Sequence, residues 1–285
     1  MTEVWKGAAV TAAQTERALS AVARLKEHNV TPALAIVRVG ERPDDISYER
    51  GAVKRCEKMG VAANCFALPQ DAPQGALIEL LAALSADPLV HGILLFRPLP
   101  KGYDDDAVRA AIAPQKDVDG ITDLSAAHLL TGRGPGFLPC TPQACMELLD
   151  HYGYDCTGKR AVVVGRSLVV GKPAALLLTG KNATVTLCHT RTADLAARCR
   201  EAELLVLAAG RAKMIGAECF APGQVVIDVG INVDAEGKLV GDADFEAAMG
   251  VVRAITPVPG GVGTVTTGVL VGHVIEAALR AAGLA

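Results

Sequence analysis

A glycine-rich turn in the middle of the chain is the clearest candidate for ligand binding. Residues 160–173 read RAVVVGRSLVVGKP, so a β-branched run meets Gly165, Arg166 and Ser167, and Gly171 precedes a predicted helix. Glycine lets the backbone turn sharply and approach a ligand, and the unpaired N–H groups that begin a helix suit a phosphate. The segment therefore predicts a phosphate cradle or, because it is not G-x-G-x-x-G, an ordinary turn between strand and helix.

A hydroxyl and a guanidinium follow the next predicted strand, 184–187. They belong to Thr190 and Arg191. In a dinucleotide-binding fold this position meets the adenosine ribose, where an acid would favour NAD. Arginine binds a phosphate in a fork of N–H groups, so its presence favours NADP, with Arg166 as a second cation. Alternatively, Arg191 is a solvated loop residue.

Two segments of the first half have residue types suited to chemistry. Tyr48, Ala52 and Arg55 share one face of a predicted helix. Residues 95–100 read LFRPLP, in which two prolines force the chain out of the sheet at a strand end that includes Leu99. Ligands of parallel sheets bind beyond the carboxyl ends of the strands, so both segments are candidates for a pocket.

Two loops, at 115–120 and 256–263, each allow a structural and a functional interpretation. Asp117 and Asp119 precede Gly120 in QKDVDG, and the local sequence favours a solvated turn there. The segment TPVPGGVG at 256–263 is stiff and then permissive, and its glycines would allow backbone to lie against a flat ligand. The second loop is therefore a candidate for binding or a spacer.

The elements that must position these residues alternate between strands and helices, which predicts an α/β fold with parallel sheets. Expected helices are 7–27, 46–59, 78–84, 141–149 and 267–282, and expected strands are 31–39, 62–68, 92–96, 161–164, 184–187, 204–208 and 225–229. The composition agrees, with 51% hydrophobic but only 4% aromatic residues among 285.

Charge and cysteine usage narrow the class of protein. The net charge of −3 offers no basic surface for nucleic acid or an anionic membrane. The eight cysteines form no C-x-x-C pair, which predicts buried thiols in a reducing compartment and no metal site. No leader or uninterrupted apolar span is evident, so we expect a soluble cytoplasmic protein.

Taken together, these segments resemble the methylenetetrahydrofolate dehydrogenase/methenyltetrahydrofolate cyclohydrolase family. The resemblance extends in order along nearly the whole chain, and it is carried by YERGAVKRCEKMG at 48–60, GILLFRPLP at 92–100, PQKDVDG at 114–120, PCTP at 139–142, GRSLVVGKP at 165–173, TVTLCHTRT at 184–192, DVGIN at 228–232 and TPVPGGVG at 256–263. Such a series is far more specific than any one of its members.

The resemblance implies a subunit of two α/β domains, commonly assembled as a homodimer. Residues 1–140 plus 267–285 would form a folate-binding catalytic domain completed by the C-terminal helix, and 141–266 a Rossmann-type NADP-binding domain. The residues implied for the cofactor are Gly165, Arg166, Ser167, Thr190 and Ile231, together with Arg191 from the argument above. Those implied for tetrahydrofolate derivatives are Tyr48, Leu99, Asp119, Pro257, Gly260 and Gly261, of which Tyr48 and Asp119 would be catalytic.

The sequence also departs from the family pattern. The family has a lysine four residues after the tyrosine that matches Tyr48, a glutamine in V-Q-L-P-L-P, and the loop P-G-G-V-G-P-M-T. Here Ala52, Phe96 and Thr264-Val265 stand at those places. The family lysine and glutamine are associated with attack of water on the methenyl bridge, and a buried lysine is a plausible proton shuttle because burial lowers its pKa. Alanine has no proton to move.

The departures decide the expected activity. Lys54 lies on the opposite helix face from Tyr48, and Arg55 stays protonated, so neither replaces the lysine. Phe96 would conserve volume by filling the space of the lysine stem. We expect an NADP-dependent methylenetetrahydrofolate dehydrogenase with weak or absent cyclohydrolase activity. The alternatives are a full bifunctional enzyme, a dehydrogenase for another substrate, and a noncatalytic folate- or nucleotide-binding homologue.

Overall fold

The computed structural model describes all 285 residues and divides them into two compact units. The large-sheet unit comprises residues 1–12 and 141–266, and the small-sheet unit comprises residues 13–140 and 267–285. The sequence analysis placed residues 1–12 in the first domain, whereas the contacts within the structure group them with the large-sheet unit. They belong to the large-sheet unit because Glu3 and Val4 pair with Ala254 and Ile255 in its sheet.

The chain forms ten α-helices and eleven strands. The helices are α1 Gly7–Glu27, α2 Pro43–Met59, α3 Gln74–Ala86, α4 Asp105–Ala110, α5 Asp123–Thr131, α6 Cys140–His151, α7 Gly171–Gly180, α8 Leu195–Arg200, α9 Phe245–Ala248 and α10 Val262–Ala281. The strands are β1 Glu3–Val4, β2 Ala33–Val39, β3 Ala62–Leu68, β4 Gly92–Leu95, β5 Arg160–Val164, β6 Thr184–Cys188, β7 Leu204–Leu207, β8 Val225–Asp228, β9 Asn232–Val233, β10 Leu239–Val240 and β11 Ala254–Ile255.

The small-sheet unit is built on three parallel strands in the order β3-β2-β4. The central strand β2 is buried along almost its whole length, as expected for a parallel strand covered on both faces. Helix α2 begins with Pro43, whose fixed φ suits the first turn. It ends at Gly60, which adopts φ +76° and closes the helix as its sequence predicts.

The large-sheet unit contains six parallel strands in the order β1-β11-β8-β7-β5-β6. Strands β7 and β8 read LLVL and VVID, and every one of their residues is buried. Because the strands run in one direction, the loops after β5, β6, β7 and β8 emerge at one edge of the sheet. The α/β fold with parallel sheets is therefore confirmed, and this edge of the unit gathers the predicted cofactor residues.

The last helix starts earlier than expected and is mostly buried. The sequence predicted a start near Thr267, whereas α10 begins at Val262, and the buried side chains of Val262 and Val265 account for the extra turn. This helix alone is long and apolar enough to cross a membrane by length and composition, but 61% of that stretch is buried inside the protein. Packing in a core accounts for its hydropathy.

Candidate active site

The glycine turn after β5 is shaped by contacts that only glycine permits. Gly165 adopts φ +124°, and a Cβ there would lie 2.1 Å from the carbonyl oxygen of Ala208. A Cβ at Gly171 would lie 2.0 Å from the carbonyl oxygen of Gly165. The Ser167 hydroxyl accepts hydrogen bonds from the N–H groups of Val170 (3.1 Å) and Gly171 (3.3 Å), and so organises the start of α7. This backbone cradle fits the pyrophosphate of a dinucleotide.

The residues predicted to select the cofactor follow β6 at the same edge. The N–H of Gly165 donates to the carbonyl oxygen of Cys188, 2.9 Å away, so the end of β6 adjoins the glycine turn. Thr190 and Arg191 are exposed beyond this point, and Arg166 is exposed within the turn. The structure therefore brings the predicted phosphate-binding and ribose-side residues together.

A buried carboxylate ties the loops after β7 and β8 to one another. Asp242 is fully buried, and its Oδ2 accepts from the N–H groups of Ala209 (2.5 Å) and Gly210 (3.0 Å). Its Oδ1 accepts from the N–H of Arg211 and from Nδ2 of Asn232, both at 2.9 Å. Four donors on one carboxylate fix the backbone at the edge where the cofactor residues emerge.

A second buried acid, Asp228, supports the first. It accepts backbone hydrogen bonds from Gly230, Asp242 and Ala243 at 2.9–3.0 Å. Burial raises the pKa of Asp228 to about 6, although these hydrogen bonds lower it. Ile231, predicted to contact the cofactor, is 68% exposed in the loop that follows.

The proline- and glycine-rich loop at 256–263 lies in the large-sheet unit and makes close backbone contacts there. Gly260 adopts φ +101°, and its carbonyl oxygen accepts from the N–H of Gly7 at 2.8 Å. A Cβ at Gly261 would lie 2.5 Å from the carbonyl oxygen of Pro257. Pro257, Gly260 and Gly261 thus lie in one closely packed loop of this unit, whereas Tyr48, Leu99 and Asp119 belong to the small-sheet unit.

In the small-sheet unit, two aromatic side chains among the predicted site positions contact each other. The rings of Tyr48 and Phe96 pack edge to face, with centroids 5.6 Å apart and planes at 63°. Phe96 is 7% exposed, Tyr48 is 41% exposed, and Ala52 on the same helix face is fully buried. The ring of Tyr48 reaches solvent while its hydroxyl hydrogen-bonds with Thr267.

The Tyr48 hydroxyl is held in its neutral form. Burial raises its pKa above the ordinary value, and the nearby Asp119 and Cys140 raise it further, while the hydrogen bond with Thr267 lowers it. A neutral phenol is a hydrogen-bond donor and a flat stacking surface at pH 7. Tyr48 is therefore suited to orienting a ligand.

Asp117 contradicts the expectation of a solvated turn. Its side chain is fully buried and accepts hydrogen bonds from the N–H groups of Ile121 (3.0 Å) and Thr122 (2.7 Å) and from Oγ of Ser125 (2.6 Å). The sequence showed only two acids before a glycine, and such a pattern is compatible with an exposed turn. Asp117 is a structural acid that fixes the backbone on both sides of Asp119.

Asp119 is partly buried, and its surroundings shift the pKa of its carboxyl group. Burial raises the pKa of Asp119 to about 6, and the charge of Asp117 adds to this, while a hydrogen bond with Cys140 and the charge of Arg97 lower it. Gly120 adopts φ +70°, and a Cβ there would lie 2.7 Å from the backbone nitrogen of Pro139. This close approach brings Cys140 beside Asp119.

The groups around Asp119 are themselves paired. Arg97 forms a two-pronged ion pair with Asp105, at 2.6 and 2.9 Å. The thiol of Cys140 donates to the carbonyl oxygen of Val118 at 3.2 Å, and Nδ1 of His273 lies 2.8 Å from the same oxygen. Sequence reasoning missed His273, since no local pattern marks a histidine that arrives from the last helix.

Leu99 has a visible packing role. It is partly buried and packs against the hydrophobic core formed by β2, β4 and α3. Packing alone therefore explains where Leu99 lies, and its predicted contact with substrate would be a second role.

The features of the two units define a class of protein. It is an α/β enzyme in which the sheet edge of one unit suits a dinucleotide, and the other unit contains an aromatic pair and a carboxyl group with a raised pKa. Comparison with known families gives the particular one. Residues 5–119 match the model of the tetrahydrofolate dehydrogenase/cyclohydrolase catalytic domain, and residues 139–282 match the NAD(P)-binding domain of the same family. The chain belongs to the tetrahydrofolate dehydrogenase/cyclohydrolase family.

Individual relatives agree over almost the full length. The chain is 49% identical to the bifunctional protein FolD of Alkaliphilus oremlandii, covering 97% of both chains. It is 37% identical to the bifunctional FolD dehydrogenase/cyclohydrolase of Campylobacter jejuni, with a TM-score of 0.95 and coverage of 98% of this chain and 99% of the other. The FolD of Trypanosoma brucei, solved with NADP and an inhibitor, is 34% identical, with a TM-score of 0.93 and coverage of 99% and 98%.

These comparisons confirm several predictions made from the sequence. The family, the α/β fold of two domains, the assignment to dehydrogenase enzymes and NADP as cofactor are confirmed at the level of the family. The roles of individual residues stay predictions.

Proposed function

We propose that this protein oxidises 5,10-methylenetetrahydrofolate to 5,10-methenyltetrahydrofolate with NADP and hydrolyses the product weakly or not at all. The loss of hydrolysis is supported by two observations: Phe96 packs against Tyr48, and Ala52 is fully buried. Neither Phe96 nor Ala52 has a proton to transfer, and both occupy positions where the family pattern has a lysine or a glutamine.

In the small-sheet unit, Tyr48 would orient the pterin with its neutral hydroxyl and partly exposed ring. Asp119 would anchor the polar edge of the pterin through its carboxylate, held in place by Asp117. Leu99 would contribute an apolar contact. In the large-sheet unit, the loop of Pro257, Gly260 and Gly261 would contact the folate, as the family resemblance implies.

The cofactor residues fit a phosphorylated dinucleotide. Gly165, Arg166 and Ser167 would cradle the pyrophosphate, and Thr190 and Arg191 would bind the 2′-phosphate. Ile231, exposed in the loop after β8, would add an apolar contact to the nicotinamide end. When bound, NADP supplies the acceptor for the two electrons and the hydrogen that leave the folate methylene carbon. The protein's part is to hold the two ligands at contact distance.

Hydrolysis demands more of the protein than oxidation does. Water must be activated and a proton moved, and loss of the general acid–base group typically costs about 10²–10⁴-fold in rate. Arg55 cannot take over this task, because its guanidinium stays charged and hydrogen-bonds to Gln14 at 3.1 Å.

The deciding experiment follows both reactions in one cuvette. Purified protein is mixed with methylenetetrahydrofolate and NADP, and NADPH and the methenyl product are monitored separately. We expect methenyl to accumulate alongside NADPH. Methenyl that never exceeds its uncatalysed steady level would show a bifunctional enzyme, and no NADPH would favour another substrate or a noncatalytic homologue.

A matched variant tests the role of the two departures. Ala52→Lys combined with Phe96→Gln restores the residue types of the family pattern. We expect this variant to gain hydrolysis of added methenyltetrahydrofolate while NADPH formation stays within about tenfold of the starting protein. The full bifunctional activity remains the second candidate, because the relatives at 49–50% identity are named bifunctional.

We also propose that the protein is a cytoplasmic homodimer, as the family resemblance implies. In the small-sheet unit β3 is an edge strand, and its residues Asn64, Cys65 and Ala67 are exposed. An exposed strand edge offers unpaired N–H and C=O groups to a second chain. Light scattering coupled to size-exclusion chromatography would give the mass in solution, and a mass near 29.5 kDa would contradict the dimer.

A further inference from the structure

We propose that His273, on helix α10, is a positioning residue that fixes the orientation of Asp119 by donating a hydrogen bond to the carbonyl oxygen of Val118. The inference rests on the proposed function, in which Asp119 anchors the polar edge of the pterin. It adds a residue that acts through the backbone and not on the ligand. All three residues belong to the small-sheet unit.

The hydrogen bond from His273 reaches the peptide group that joins Val118 to Asp119. Nδ1 of His273 lies 2.8 Å from the carbonyl oxygen of Val118. A carbonyl oxygen only accepts hydrogen bonds, so Nδ1 carries the proton and is the donor. Because a peptide group is planar, holding its oxygen also fixes the N–H and the Cα of Asp119, which lie in the same plane. The carboxylate of Asp119 therefore extends from a fixed point.

Cys140 supplies a second bond to the same oxygen. Its thiol donates to the Val118 carbonyl at 3.2 Å, and its Sγ lies 3.8 Å from Nδ1 of His273. A carbonyl oxygen has two lone pairs and can accept both donors. A thiol is a weak donor, whereas a ring N–H is a full one, so we assign the orientation of the peptide group mainly to His273.

The side chain of Val118 is packed beside the next residue of α10. Val118 is fully buried, and a Cβ added at Gly92 would lie 2.7 Å from Cγ1 of Val118 and 2.9 Å from Cγ2 of Val274. Val118 and Val274 thus fill the space beside β4 together. Successive residues of one helix therefore restrain the carbonyl group and the side chain of Val118.

The imidazole of His273 is itself held in place. It is 4% exposed and stacks on Phe137, with ring centroids 4.8 Å apart and planes at 30°. The guanidinium of Arg280 lies 4.6 Å from the centre of the Phe137 ring and forms an ion pair with Glu276. Burial lowers the pKa of His273, so the ring is neutral at pH 7. A ring restrained in this way can hold the backbone group that it binds.

Gly120 explains why the loop needs this restraint. It directly follows Asp119 and adopts φ +70°, and glycine leaves the chain more conformational freedom than any other residue. Beyond it, Asp117 holds the N–H groups of Ile121 and Thr122. Without His273, the peptide group before Asp119 would reorient more freely, and a carboxylate with several orientations anchors a ligand less well.

Two variants of nearly equal size test the donor. His273→Asn keeps an N–H donor on the atom next to Cγ, as in histidine, and His273→Leu has none. At saturating NADP we expect the leucine variant to raise KM for methylenetetrahydrofolate by about three- to tenfold, the ratio that corresponds to one lost hydrogen bond, with a smaller change in kcat. The asparagine variant should stay within about twofold of the unchanged protein. NADP affinity, measured by calorimetry, should be the same in all, because the cofactor residues lie in the large-sheet unit.

Three results would overturn the positioning role: an unchanged KM in the leucine variant, equal losses in the two variants, or a parallel loss of NADP affinity, which would indicate general damage to the fold. His28→Leu, at an exposed position of the same unit, is the control and should leave KM unchanged. If circular dichroism shows that the leucine variant does not fold, His273→Gln takes its place with the same expected rise in KM, because its amide nitrogen lies one bond farther from the backbone.

The affinity for tetrahydrofolate separates this proposal from the proposed function. If the unchanged protein forms no NADPH, the proposed function fails, and the Kd for tetrahydrofolate replaces KM as the readout. A weakening of about three- to tenfold in the leucine variant but not in the asparagine variant would then support the positioning role. Equal affinities of the two variants, or no binding by the unchanged protein, would overturn it.

Discussion

Asp117 and Asp119 show how far residue type alone can mislead. They are separated by one residue and look equivalent in the sequence, yet one is fully buried and accepts three hydrogen bonds while the other is partly buried with a raised pKa. Their difference depends on Ser125, Pro139 and Cys140, which only the folded chain brings near. The family resemblance identified Asp119, but nothing local in the sequence predicted the task of Asp117.

The raised pKa of Asp119 predicts how activity depends on pH. Folding favours its protonated form, so Asp119 is ionised only above about pH 6, and its contribution to stability declines as pH rises from about 4 to 6. If the carboxylate anchors the pterin, kcat/KM for methylenetetrahydrofolate should fall as pH drops through about 6 at saturating NADP. Asp119→Asn should flatten this limb, and superimposable profiles for the two proteins would refute the assignment.

Asp117 predicts a loss of stability. The carboxylate of Asp117 accepts hydrogen bonds from three donors. In Asp117→Asn one of its two oxygens becomes an NH₂ group, which would face at least one of those donors. Leaving a buried donor unsatisfied costs about 1–3 kcal/mol of unfolding free energy. Urea unfolding followed by circular dichroism would measure it, with Asp71→Asn, an exposed acid, as the matched control. A loss no larger than that of the control would contradict the structural role.

At the scale of elements, the sequence pattern predicted seven of the nine strands in the two parallel sheets and missed the two-residue strands β1 and β11 as well as the short helices α4, α5, α8 and α9. Strand β3 was predicted at 62–68 and is observed at Ala62–Leu68, because an apolar run between Gly60 and Pro69 leaves little choice. The start of α10 was missed because Gly261 and Gly263 resemble a loop, whereas burial of Val262 and Val265 extends the helix. Tertiary packing, absent from local sequence, decided that boundary.

The carboxylate of Asp242 joins the loops after β7 and β8. Substituting it tests whether these hydrogen bonds are needed for NADP binding. Asp242→Asn replaces one acceptor oxygen by an N–H group facing backbone donors, so those loops should lose their fixed shape. We expect NADP affinity to weaken by about tenfold or more, the equivalent of about 1.4 kcal/mol. Isothermal titration calorimetry would measure it.

The control for this change is Glu236→Gln, in the exposed turn between β9 and β10, where an acid is removed without touching the carboxylate network. Its NADP affinity should match that of the unchanged protein. If Asp242→Asn also retained full affinity, the network would be shown to be irrelevant to the cofactor.

At the scale of the whole molecule, the N-terminal residues carry the main lesson about domains. The family resemblance placed residues 1–12 with the catalytic domain, but Trp5 stacks on Tyr152 with ring centroids 4.7 Å apart, and β1 extends the large sheet. A two-residue strand has no recognisable sequence signal. Its place is decided by a partner some 250 residues away, so sequence order alone could not assign it.

Cofactor selectivity is the prediction that concerns the whole protein. A ligand that binds only the folded state raises stability by about 2.7 kcal/mol at a concentration of 100 Kd, so NADP should raise the apparent melting temperature more than NAD does. Arg191→Ala should remove most of that difference, because the guanidinium forms the fork for the 2′-phosphate. Arg133→Ala, an exposed arginine of the small-sheet unit, should leave it unchanged. Equal shifts with NADP and NAD in the unchanged protein would show that Arg166 and Arg191 do not select the cofactor.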